Sequence, residues 1–90
     1  MKLKALAFSA MLAVTGAAQA QTEIMWWHAM SGALGEWING LAKDFNDSQK
    51  QYKVTPVFKG TYDEAMAAAV AAFRAGNAPH ILQVFEVGTA

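Results

Sequence analysis

Hydrophobic positions divide the chain into five stretches beyond an apolar start. Ile24, Met25, Trp26 and Trp27 form a continuous apolar run inside Thr22 to His28, the pattern of a strand covered on both faces. Leu34, Trp37, Ile38, Leu41, Ala42 and Phe45 then recur at helical spacing, with Glu36, Asn39, Lys43 and Asp44 mostly opposite. Ser31 is the expected N-cap, and Asn46-Asp47-Ser48 is the expected stop. Trp37 lies in the stripe and is expected in the core, and Gly40 is expected to let the helix approach its neighbours closely. A second strand is predicted over Tyr52 to Phe58, where Pro56 cannot donate to a ladder and so points to a sheet edge. A second helix is predicted from Tyr62 to Ala75, with Ala65, Met66, Ala69, Val70 and Phe73 as its apolar face. Thr61 and Glu64 have capping-box spacing, and Gly76 followed by Pro79 ends the helix. Ile81 to Val87, apolar except for Gln83 and Glu86, is expected to be a third strand.

Strand, helix, strand, helix, strand is the alternation of an α/β fold, a parallel sheet with covering helices. The first twenty residues stand apart. Lys2 and Lys4 precede an apolar run from Ala5 to Val14, and Ala18-Gln19-Ala20 has the small-x-small form of a cleavage site. These three signals in order describe a secretory signal peptide over residues 1–20, cleaved after Ala20, in preference to a buried N-terminal helix. The apolar run is shorter than the roughly 20 residues that span a bilayer. Residues 21–90 then form a single unit, with five basic residues against seven acidic ones, a net charge of −2. Such a balance attracts neither nucleic acid nor an anionic membrane. There is no cysteine, which excludes disulfides, thiolate metal sites and a lipid anchor on an N-terminal cysteine. Seventy residues without a disulfide are short for this architecture, so the chain is expected to be the N-terminal part of a first lobe, with a second lobe missing.

Ligands of open parallel sheets bind outside the carboxyl ends of the strands. That rule selects His28 to Ser31, Gly60-Thr61-Tyr62 and Glu86 to Thr89. Glu86 closes an apolar run, where a carboxylate needs a partner. It can accept hydrogen bonds from ligand hydroxyls, or simply face water at a strand end. Tyr62 offers a phenol at a helix start whose amides could receive an anion, or it packs at a turn. His28 and His80 fall at opposite ends of the sheet, which argues against a shared metal, and His28 reads as a hydrogen-bonded structural residue. Of Trp26 and Trp27, which face opposite sides, one is expected in the core and the other near the cleft. No dinucleotide or Walker glycine loop, nucleophile elbow or zinc-protease motif occurs, and Asp63-Glu64 cannot flank one bond, so no catalytic residue or cofactor is expected.

Several runs in the mature stretch resemble one family. They are Trp27-His28-Ala29-Met30, Phe45-Asn46, Tyr52-Lys53-Val54, Phe58-Lys59-Gly60-Thr61-Tyr62, Ala71 to Pro79, and Ile81 to Ala90. The family is that of the sn-glycerol-3-phosphate-binding periplasmic proteins of glycerol-3-phosphate ABC importers. The resemblance implies a two-lobed periplasmic receptor several times this length, closing by a hinge on its ligand. It implies a membrane permease and a cytoplasmic ATPase as partners, and glycerol-3-phosphate or its diesters as ligand. The family's ligand-contacting tyrosine and glutamate map onto Tyr62 and Glu86, the positions already selected. A receptor for an oligosaccharide or another polyol is the near alternative. An exported α/β hydrolase and a secreted structural module are more distant ones.

Overall fold

The computed structural model describes residues 20–89, so the expected leader lies outside the described residues except for Ala20. Five elements follow the expected order: β1 (Thr22–His28), α1 (Gly32–Ser48), β2 (Tyr52–Phe58), α2 (Tyr62–Arg74) and β3 (Ile81–Leu82). A 3-10 turn spans Glu86–Thr89. All strands are parallel, in the order β2-β1-β3. The chain thus crosses first to one side of β1 and then back to the other. Two crossovers of the same hand in opposite directions place their helices on opposite faces of the sheet. Pro56 sits in β2, an edge strand among the described residues, as its missing N–H requires.

The ends of α2 follow the expected capping chemistry. Thr61 accepts from the Glu64 amide at 3.1 Å, and the Glu64 carboxylate accepts from the Thr61 amide at 3.0 Å. At the far end Gly76 has φ +83°, and its amide donates to Phe73 while that of Asn77 donates to Ala72. These two bonds form a Schellman motif, and the positive φ requires glycine.

Four expectations need correction. First, Asn46-Asp47-Ser48 ends α1 from inside it, because the helix runs through these residues and stops at Ser48. Asn46 stays helical because its carboxamide takes up both main-chain groups of Val54 in β2, at 2.8 and 2.9 Å. Lys43 and Asp47 also form an ion pair one turn apart. Second, α1 is rotated relative to its apolar stripe. Gly35, Ile38 and Ala42 are buried, whereas Leu34, Leu41 and Phe45 are exposed and Trp37 is 63% exposed, so among the described residues Trp37 lies outside the core. The reach of Asn46 to β2 and the small Gly35 and Ala42 turn this side inward. Likewise α2 buries Ala65 and Ala69, while Met66, Val70 and Phe73 remain exposed on its flank. Third, Gly40 approaches nothing, with no atom within 4 Å of an added Cβ. Gly35 is the close-approach glycine, because a Cβ there would lie 2.7 Å from the Met30 carbonyl oxygen.

The fourth correction concerns β3, which ends at Leu82 and not at Val87. Its ladder to β1 pairs Trp26 with Ile81 and Trp27 with Leu82. Side chains close both ends. The Met25 amide donates to the His80 ring at 2.9 Å, and the Ala29 amide donates to the Gln83 side-chain oxygen at 3.0 Å. With the last amide satisfied by a side chain, Val84 and Phe85 leave the sheet.

Candidate ligand-binding crevice

The strand order locates the crevice. All three strands are parallel, so the expected ligand position is the space outside their carboxyl ends, where those of β1 and β3 lie side by side. Here that space is bordered by the Ala29 to Ser31 loop and by the segment from Gln83 to Glu86, tied together by the Ala29–Gln83 hydrogen bond. Gln83 had no assigned role in the sequence. A lone amide in an apolar strand was the signal, since such a group needs a partner.

Glu86 does not end a strand. It is the exposed first residue of the 3-10 turn. Phe85, directly before it, stacks on Tyr62 with ring centroids 5.3 Å apart at 34°. Tyr62, Asp63, Met66, Val84 and Phe85 line a hollow of about 180 Å³ beside the turn. The structure therefore brings Tyr62 into contact with the residue preceding Glu86.

The expected anion-receiving helix start is partly occupied, by hydrogen bonds at the Thr61 and Glu64 amides and not at those of Tyr62 and Asp63. The capping box uses the Thr61 and Glu64 amides internally and sets a carboxylate at that end. Hydrogen bonds from the Thr61 main chain and side chain hold the Glu64 carboxyl below its ordinary range, so it is charged at neutral pH. A phosphate at the first turn of α2 would meet this charge and that of Asp63.

His28 is the buried polar residue of the described core, 3% exposed. Its Nδ1 accepts from the Met30 amide at 3.2 Å, which fits the expected structural role. Burial pushes its pKa below the ordinary 6.5. Rings of Trp26 and Phe58 flank it at 6.1 and 6.0 Å. Neither tryptophan of β1 is fully buried, against the expectation that one is core. Trp27 faces the other side of the sheet, with the Lys59 ammonium 4.0 Å over its ring, a cation–π contact. Among the described residues no three His, Cys, Asp or Glu side chains gather as a metal site, and no helix is long and apolar enough to cross a membrane.

No family model matches the chain. Curated relatives do. An sn-glycerol-3-phosphate-binding periplasmic protein of Agrobacterium fabrum is 62% identical over 76 residues, covering 84% of this chain and 17% of the relative. The protein of the same name from Yersinia enterocolitica is 56% identical over 79 residues, 88% of this chain and 18% of its own length. That from Salmonella typhimurium is 52% identical over 86 residues, 96% and 20% respectively. The chain spans about a fifth of the length of these relatives. They are named as binding proteins and as periplasmic, which agrees with the likeness read from the motifs. Over nearly all its residues, this chain is similar to about one fifth of an sn-glycerol-3-phosphate-binding periplasmic protein.

Proposed function

We propose that the chain is part of the first lobe of an exported solute-binding receptor that delivers sn-glycerol-3-phosphate or its diesters to an ABC importer. The observation that carries this reading is the identity of 52–62% to relatives named for that ligand, extending over 84–96% of the chain. The small parallel α/β unit is the architecture such a lobe would use, and the partners would be a membrane permease and a cytoplasmic ATPase. The leader would be removed after Ala20, leaving Gln21 as the first residue in the periplasm. Mass spectrometry of the exported protein tests this, and a product that retains Lys2 and Lys4 refutes it.

In this reading Glu86 accepts hydrogen bonds from the glycerol hydroxyls, and Tyr62, stacked on Phe85, donates from its phenol at the crevice edge. The phosphate points away from Glu86 and from the carboxylates at the start of α2, toward basic groups outside the described residues. Calorimetric titration of glycerol-3-phosphate into the intact protein is the test. Glu86→Gln should weaken binding by about 1.5–3 kcal/mol, the worth of a hydrogen bond to a charged group. Tyr62→Phe should cost less, about 0.5–1.5 kcal/mol, the worth of a neutral one. Unchanged affinity in both variants removes the site assignment, and hydrolysis of the ligand by the wild type removes the receptor reading.

A further inference from the structure

A second concavity, of about 350 Å³, opens between the first turns of α1 and the carboxyl-terminal half of β2. It includes neither Tyr62 nor Glu86 and lies on the α1 side of the sheet, whereas Tyr62 begins the helix on the other side. His28 lines it. Because Nδ1 of His28 accepts from the Met30 amide, the ring proton sits on Nε2. Among the described residues His28 makes no hydrogen bond besides the one at Nδ1, and the side-chain polar atom that is buried without a partner is Trp27 Nε1, on the other side of the sheet. Ser31 stands at the N-cap of α1 but its hydroxyl caps no amide. Glu36 and Asn39 lie three residues apart on one face of α1, both exposed at the groove, and neither is spent on an ion pair or hydrogen bond there. Pro56 and Phe58 supply an apolar wall, and Phe58 is 52% exposed.

We infer that this groove binds a small neutral polyol, a sugar alcohol or monosaccharide, sharing the Met30–Ser31 loop with the crevice at Glu86 but no residue of its Gln83 to Glu86 segment. Each hydroxyl of such a molecule both donates and accepts. Glu36 only accepts, the His28 Nε2–H only donates, and the Asn39 carboxamide and Ser31 hydroxyl do both. The C–H face of a sugar suits the ring of Phe58 and the side of Pro56. An anion is disfavoured, because Glu36 is the sole charged side chain lining the groove. The volume is at the small end of ligand pockets, about 300–1,000 Å³. Gly35 shapes the site by letting the Met30 main chain lie against the helix.

The test is titration of the intact, isotopically labelled protein with xylitol, read by the NMR signals of the His28 ring nitrogens and the Asn39 side-chain amide. Saturable shifts of both are expected. Glu36→Gln and Asn39→Ala should each weaken the affinity about tenfold, the loss of one hydrogen bond to a charged group or of a polar pair. Both side chains are exposed, so the variants keep the fold. Tyr62→Phe should leave xylitol binding unchanged. Absence of saturable shifts at His28 and Asn39 overturns the inference. So does unaltered affinity in the Glu36→Gln/Asn39→Ala double variant. Glycerol-3-phosphate affinity measured on the same samples separates the two sites, since its loss bears only on the receptor reading.

Discussion

Two glycines of α1 should respond to alanine with opposite sign. Both are helical, so each substitution gains the intrinsic preference of alanine over glycine, about 0.8–1 kcal/mol. At Gly40 nothing lies within 4 Å of the new Cβ, and the position is exposed, so Gly40→Ala should show that gain in full. At Gly35 the new Cβ would meet the Met30 carbonyl oxygen at 2.7 Å. That oxygen is main chain and cannot swing aside as a side chain would. Its loop is anchored from both directions, by the Met30 amide on His28 and by the Ser31 carbonyl accepting from the Gly35 amide. Overpacking of this kind costs about 1–3 kcal/mol. Gly35→Ala should therefore fall between neutral and a loss of about 2 kcal/mol once the helix gain is subtracted. The helix term cancels between the variants, so their stabilities should differ by about 1–3 kcal/mol. Urea denaturation of the intact protein, followed by circular dichroism at equal slope, measures the difference. If both variants gain stability equally, the close approach of α1 to the Met30 loop is wrong.

Thr61→Ala should destabilise the protein by about 1 kcal/mol through loss of the α2 cap, and Thr61→Ser should restore most of it; equal stability of all three in urea would refute the capping role. His28 has a folded pKa below its ordinary 6.5, so its neutral form is favoured in the fold. Its contribution is complete above pH 6.5 and is lost as pH falls from there through the lowered folded value. A pH series of denaturation midpoints should show this fall in the wild type and a flatter slope in His28→Gln. Residues 21–90 alone leave Leu34, Trp37, Phe73 and Phe85 more than half exposed and bury chiefly Ile38, Ala42, Ala65 and Ala69. That segment in isolation should self-associate and melt without cooperativity, and a monomer with a sharp transition in sedimentation and calorimetry would refute this.

Local rules were enough for the order of the elements, for β1 and β2, and for both ends of α2. The Thr22–His28, Tyr52–Phe58 and Tyr62 start positions follow from periodicity. The capping box at Thr61 and the Schellman turn at Gly76 follow from bonds between residues a few positions apart. The strand-end rule selected Tyr62 and Glu86 as candidates, but Glu86 on the expectation of a strand that in fact stops at Leu82. What the sequence could not supply were quantities set by distant partners. Periodicity defines an apolar stripe but not its rotation, and Asn46 on Val54 with Gly35 on Met30 turned α1 so that Trp37 faces outward. An apolar run does not say how much of itself will find a ladder, and β3 stopped where the Gln83 side chain took the Ala29 amide. Two amides at the start of α2 are taken by the capping box, that of Thr61 by the Glu64 carboxylate and that of Glu64 by the Thr61 hydroxyl. The order β2-β1-β3, which sets the carboxyl ends of β1 and β3 side by side, is a choice of neighbours in space. Parallel pairing leaves that choice to long-range packing, because no short turn joins the strands that touch.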